Sequence, residues 1–234
     1  SHHAMAYDNE RGVIVLFGGY LKTTIPFEDP QEGLLYEIHH SFFQDSWDWD
    51  GERWVKGNEP GPLPSGQSGH AMTYERERDV SLVFGGAGFQ ETWAWDGASW
   101  FEHAPEGPIP SARQAHAMAY DVARGVTVLF GGQKWTDSIQ SGDDWLSDTW
   151  EWDGGTWSER ILAGPTPSVR RGHAMAYDVA RGVTVLFGGR SYSTNLTPSG
   201  TWEWDGETWG ERILEGPMPS ARYGHAMAYD VARG

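Results

Sequence analysis

A single unit recurs along this chain of 234 residues, and its spacing restricts the fold more than any other feature. The hexapeptide His-Ala-Met-Ala-Tyr-Asp starts at His3, His116, His173 and His225, with the variant His-Ala-Met-Thr-Tyr-Glu at His70. Fifteen residues after His3, His70, His116 and His173 comes a double glycine: Gly18-Gly19, Gly85-Gly86, Gly131-Gly132 and Gly188-Gly189. W-x-W-D-G-x-x-W follows from Trp47, Trp93, Trp150 and Trp202, and G-P-x-P-S from Gly61, Gly107, Gly164 and Gly216. Successive histidines are 67, 46, 57 and 52 residues apart, and the stretches between the second Gly and the first Trp are 27, 6, 17 and 12. Subtracting the second series from the first leaves 40 every time. All length variation is confined to one connection, and the other 40 positions form a constant module. Twelve of the fourteen Trp belong to it, so their abundance has a structural cause.

The module reads as four short strands, a to d. His-Ala-Met-Ala-Tyr (a) alternates large and small side chains, as a two-faced strand does. Val183 to Phe187 and its equivalents (b) are β-branched and apolar on both faces, which suits a strand buried between sheets. The a–b link ends on Gly12, Gly125, Gly182 or, in the second module, Asp79, so a turn closing at positive φ is predicted. Thr-Trp-Glu-Trp (c) places both indoles on one face, Asp-Gly turns the chain, and the last Trp opens d. One such sheet is marginal alone; its Trp face, at roughly 150–250 Å² per indole, needs a neighbouring sheet to cover it. The prolines of G-P-x-P-S stiffen the connector and set a repeatable step to the next module.

Composition excludes more than it assigns. A net charge of −16 opposes a phosphate backbone, which Lys and Arg must hold, so no nucleic-acid partner is expected. With no Cys there are no disulfides, thiolate zinc sites or cysteine nucleophiles. Apolar runs such as Val13 to Phe17 fall far below the ~20 residues of a spanning helix, so no membrane insertion is expected. The chain does not begin with Met, and the missing leader says nothing of destination.

The double glycine closing strand b, the aromatic on c and the Trp opening d resemble the kelch repeat. The resemblance extends over essentially the whole chain and recurs four times; GHAMAYD, VLFGG and TWEWDG are similar to the repeats of bacterial kelch arrays. It implies an all-β, kelch-type β-propeller of four-stranded antiparallel blades, as one domain over residues 1–234. Its blades would span about 3–57, 70–103, 116–160 and 173–212, with an extra first strand at 225–230. Kelch propellers usually close with five to seven blades, so the resemblance implies a segment of a larger propeller whose remaining blades are themselves a partner. Placement outside a bacterial cell or on its surface is implied by resemblance alone.

In such propellers the b–c loops and d–a connectors emerge on one face, and the resemblance implies that this face binds partners. The flanking positions are Tyr20, Ala87, Gln133 and Arg190 after the glycines, and Gln67, Arg113, Arg170 and Arg222 before the histidines. The arginines bind a ligand or pair with carboxylates of adjacent blades. The longest connection, Tyr20 to Ser46, carries Phe27, Tyr36, His39 and His40; Leu34, Leu35, Ile38 and Phe42 have helical spacing, so a short capping helix is predicted. That segment is either an aromatic ligand wall or lid, or a plug burying its own apolar face. Trp135 and Trp145 in the third loop and Tyr192 in the fourth add rings beside carboxylates and amides, which suits sugar or peptide recognition.

Glu37, His39 and His40, or Asp143, Asp144 and Asp148, have metal-ligating side chains without a recognised spacing, so no metal or cofactor is assigned. The five module histidines repeat with the fold and read as structural hydrogen-bonding groups. The fold resembles the central domain of galactose oxidase without its catalytic residues, since the Cys that cross-links to Tyr is missing. The iron-binding E-x-x-x-D-x-x-x-H pattern and the sialidase Asp box do not occur either, and no catalytic constellation emerges. The expected function is a non-catalytic scaffold recognising a protein or glycan through the variable face. The alternative is a carbohydrate-active or metal-dependent enzyme whose active residues lie in the b–c loops and in further chain.

Overall fold

The computed structural model describes residues 2–29, 31–57, 60–135, 144–191, 198–213 and 215–233. Blade one contains β1 (Ala4–Asp8), β2 (Val13–Phe17), an inserted hairpin of β3 (Tyr20–Asp29) and β4 (Gly33–Phe42), then β5 (Ser46–Trp49) and β6 (Trp54–Lys56). Blade two is β7 (Ala71–Glu75), β8 (Val80–Phe84), β9 (Thr92–Trp95) and β10 (Trp100–His103). Blade three is β11 (Arg113–Gln114), β12 (Ala117–Asp121), β13 (Val126–Lys134), β14 (Trp145–Trp152) and β15 (Trp157–Glu159). Blade four is β16 (Ala174–Asp178), β17 (Val183–Phe187), β18 (Thr201–Trp204) and β19 (Trp209–Arg212). Each sheet is antiparallel in the order a-b-c-d, and the four stand as propeller blades.

The a–b turns close as their residues predict, with φ at 68° for Gly12, Gly125 and Gly182 and 54° for Asp79. An arginine in each of the first three turns, Arg11, Arg78 and Arg124, extends across to the next blade. Arg124 pairs with Asp121 and Glu151 at 2.7 Å each, and its guanidinium lies against Gly206 of blade four.

Between blades the core follows one rule: the Trp face of each blade packs on the opposite face of the blade before it. Trp150, Trp152 and Trp157 of blade three cover Ala71, Leu82 and Phe84 of blade two. Trp93, Trp95 and Trp100 cover Val15 and Phe17 of blade one, and Trp202, Trp204 and Trp209 cover Val128 and Phe130 of blade three. The details recur as well. Trp157 and Trp209 donate their indole N–H to Thr92 and Thr149 of the preceding blade, both at 2.9 Å. His70 and His173 donate Nε2–H to the carbonyls of Phe17 and Phe130 at 3.2 and 3.1 Å.

Four blades make three such interfaces. The nine tryptophans in them are at most 9% exposed, whereas Trp54, on the open Trp face of blade one, is 45% exposed. Among the described residues no ladder joins blade one to blade four.

Two expectations need correction. Residues 20–42 contain no helix but a ten-pair hairpin, from Tyr20↔Phe42 to Asp29↔Gly33. Alternation wins over helical spacing here because Leu34, Tyr36 and Ile38 also share one side of a strand. Asp29 further fixes the reversal by accepting the amides of Gln31 and Glu32 at 2.8 and 2.9 Å. Residues 225–230 lie where a first strand would start, with His225 against Phe187 at 5.7 Å between rings, yet they join no ladder. An innermost strand pairs with strand b of its own blade, and among the described residues this segment has none beside it.

Candidate functional site

The double glycine is the hinge of the variable face, because the d–a connector crosses directly over it. Gly19, Gly86, Gly132 and Gly189 donate their amides to the carbonyls of Gln67, Arg113, Arg170 and Arg222 at 2.8 or 2.9 Å. At Gly131 (φ 60°) a Cβ would lie 3.0 Å from the Arg170 and Leu146 carbonyls, so both backbone conformation and closeness demand glycine. A second set of amide bonds links the connectors from blade to blade: Gly69 to His2, Ala115 to Gly69, Gly172 to Ala115 and Gly224 to Gly172, at 2.7–3.0 Å. Loops and connectors therefore meet at one end of the blades, on a rigid frame.

The residues placed on this face by sequence separate into three groups. Tyr20, Phe27, Tyr36, His39 and His40 stand on the β3–β4 hairpin, which is exposed along most of its length. Its alternation puts His39 beside Glu37 (3.2 Å) and His40 on the other side, against Tyr20 at 5.5 Å between rings. Glu37, His39 and His40 thus do not converge on one ion.

The second group is buried. Arg113 is 1% exposed and grips Asp148 with two 2.7 Å hydrogen bonds. This is pairing within the blade that its connector enters, so Arg113 is structural and Asp148 is not free to ligate a metal. Trp150 donates to the same carboxylate at 2.8 Å. Arg170 is 2% exposed and occupies the equivalent place in blade four. Gln133 is buried, and Arg171 hydrogen-bonds to its side-chain oxygen.

The third group remains at the surface. Trp135 is exposed beside Gly88 of blade two, Arg190 is exposed and bridges Arg171 through the backbone, and exposed Arg222 bonds Ser220. Trp145 is buried beneath Arg171, whose guanidinium lies 4.8 Å from the ring centre. Tyr192 and Asp143 lie outside the described residues.

Sequence reading missed Arg171, although it adjoins Arg170 in Ser-Val-Arg-Arg-Gly-His, and it missed the open cleft of about 1040 Å³ lined by the inner strands. Met72, Met118 and Met175 and the tyrosines two residues after each line that cleft. The signal was present as the Met and Tyr of the repeated hexapeptide.

His70 and His173 act as structural donors in the buried interior. Burial lowers His70 to about 4 and His173 to about 3, while the Arg170 charge adds to the effect at His173. Both are neutral at pH 7 and hold the preceding blade through its Phe carbonyl.

These blades, hinges and interfaces define a kelch-type propeller. The KLHDC2/KLHL20/DRC7 Kelch-repeats domain model matches residues 1–233, and the chain belongs to this kelch-repeat family. Among solved structures it is similar to that of YjhT, with a TM-score of 0.61 at 14% identity, covering 97% of this chain and 74% of that one. At that identity the likeness concerns the fold. No curated protein sequence matches the chain.

Proposed function

We propose that this chain is a non-catalytic binding scaffold that recognises a protein or a glycan through the b–c loops and d–a connectors of one face. The observation that carries the reading is the constant 40-position module, whose only length variation falls on the face where connectors cross the double glycines. Variable loops on a rigid frame are where recognition concentrates. The junction of blades three and four supplies suitable groups, with Arg171 lying on Trp145 and Arg190 beside it.

The same reading takes the four blades as part of a larger ring. The open Trp face of blade one supports this, because every other Trp face is covered by the same kind of partner sheet.

A displayed peptide library and a glycan array, both screened with the intact chain, test the proposal. Ligands should be lost on the double charge reversal Arg171→Glu/Arg190→Glu and kept on Glu52→Arg, at a c–d turn on the far end of the blades. Retention of every ligand by the double reversal would refute recognition at this face.

A further inference from the structure

Blades three and four present the same arginine in two different states of satisfaction. In blade three the Arg113 Nε–H goes to the Ser111 carbonyl (3.1 Å), Nη1 to the Gly131 carbonyl (3.1 Å) and Nη2 to Ser111 Oγ (3.2 Å). The second N–H on each Nη goes to Asp148. Arg170 repeats the first three bonds, to the Ser168 carbonyl (3.0 Å), the Gly188 carbonyl (2.9 Å) and Ser168 Oγ (3.2 Å). The carboxylate is what differs. Asp148-Thr149 of blade three corresponds to Gly200-Thr201 of blade four, so the acid is replaced by a hydrogen atom.

The outer edge of the Arg170 fork therefore has no acceptor among the described residues and no ion pair within 4 Å, and the sequence from Tyr192 to Thr197 contains no acid. Yet Arg170 is as buried as Arg113. Burial pulls its guanidinium down to about 10, opposed in part by the charge of Glu211. Glu211 reaches over the glycine, its Oε1 standing 2.8 Å from where a Cβ on Gly200 would lie, but it stops short of an ion pair. Arg171 and Arg190 add two more cations to this corner of a chain that carries −16 overall. A buried cation without a counter-charge is costly, and a planar carboxylate matches a guanidinium fork bond for bond.

We propose that the Arg170 fork is a binding site for a carboxylate, which enters over Gly200 and takes the two N–H bonds that Asp148 takes in blade three. The proposal rests on the scaffold reading above and deepens it, naming the chemical group that this face recognises. The carboxylate is either a free small acid or the side chain of a bound polypeptide.

The test is a titration of the intact chain with sodium acetate against sodium chloride at constant ionic strength, followed by the Arg Nε–Hε NMR signals and by melting temperature. Acetate should shift the Arg170 signal saturably and raise the melting temperature, while chloride does neither. Gly200→Asp fills the fork from within, as blade three does. It should itself raise the melting temperature and weaken the acetate response by about tenfold or more. The Gly200 backbone has no positive φ; to admit the new side chain the flexible end of Glu211 must move aside, and the Trp202 indole nitrogen, 3.3 Å from the added Cβ, must give slightly. Glu211→Gln should keep or strengthen the response.

An undiminished response in Gly200→Asp would overturn the site, as would a wild type silent to acetate beside a Glu211→Gln variant that responds, since Glu211 would then close the fork. A blocked peptide with one Glu, run in parallel, separates the sources: tighter than acetate supports a polypeptide side chain, equal supports a free acid, and a response to neither overturns the site. The acetate titration needs no macromolecular partner, so it stands or falls apart from the library screens.

Discussion

Trp157 and Trp54 occupy the same position of the module and differ only in what lies beyond the ring. Trp157 is 1% exposed, packs 5.0 Å from Phe84 of the preceding blade and donates its N–H to Thr92. Trp54 meets Trp49 of its own blade at 5.6 Å and is 45% exposed. Trp157→Ala removes a ring enclosed on both sides and leaves a cavity, which costs about 3–5 kcal/mol. Trp54→Ala loses only the area held against its own sheet and leaves no enclosed space, so its cost is about 1–2 kcal/mol. Guanidinium unfolding followed by far-UV circular dichroism measures both, with Trp209→Ala as a second enclosed case because it repeats the bond to Thr149 and the contact with Phe130. Equal losses for Trp54→Ala and Trp157→Ala would refute the claim that blade-to-blade cover is what stabilises these sheets. On the larger-ring proposal, a further blade supplied against blade one should move Trp54 into the costly class.

Two further outcomes follow from buried charge. The folded-state values of His70 and His173, about 4 and about 3, lie below their ordinary 6.5, so the unfolded chain binds more protons in that window. Their contribution is complete above pH 6.5 and is lost as the pH falls toward 4, by about 2 kcal/mol each at pH 5. Buried Glu75, raised by burial, binds its proton more readily in the folded chain and so acts in the opposite sense; the measurement is therefore the difference in pH dependence between wild type and His70→Gln, which should be shallower, and unchanged slopes would count against a buried neutral His70. Asp148→Ala strands the Arg113 charge and should cost about 3–5 kcal/mol in guanidinium unfolding, partly restored by Arg113→Met in the same chain. A loss under about 1 kcal/mol would mean that the pair holds nothing together.

The blade was legible because each of its residues answers to a local rule. Gly12 and Asp79 mark the turn, Val183 to Phe187 the doubly covered strand, and Trp202 and Trp204 the face that needs a neighbour. The hairpin was not legible in the same way. Leu34, Leu35, Ile38 and Phe42 satisfy a helical spacing, and nothing in that pattern registers the partner strand opposite; the β-branched run Thr23, Thr24 and Ile25 and the reversal at Asp29 carry that information. The site was half legible. Position told that Arg113 and Arg170 flank the variable face, but whether each guanidinium is satisfied depends on a residue 35 positions away at Asp148 in one blade and on its replacement by Gly200 in the next.

That dependence shows how a repeated fold diversifies a face without disturbing its frame. The connector position and the residue ahead of the Thr that opens strand c recur together in blades two to four and are paired in blade three, and the amide bonds of the double glycine do not involve their side chains. In blade two the pair is Gln67 and Glu91, where both atoms of the Gln67 amide are buried without a partner and burial raises the Glu91 carboxyl. In blade three it is Arg113 and Asp148, an ion pair closed on itself. In blade four it is Arg170 and Gly200, a cation with its complement deleted. Because backbone amides carry the step from blade to blade, exchange of either side chain alters local charge and hydrogen bonding while the frame bonds stay in place. On the proposal above, the position that closes an ion pair in blade three is the one that leaves a recognition site in blade four.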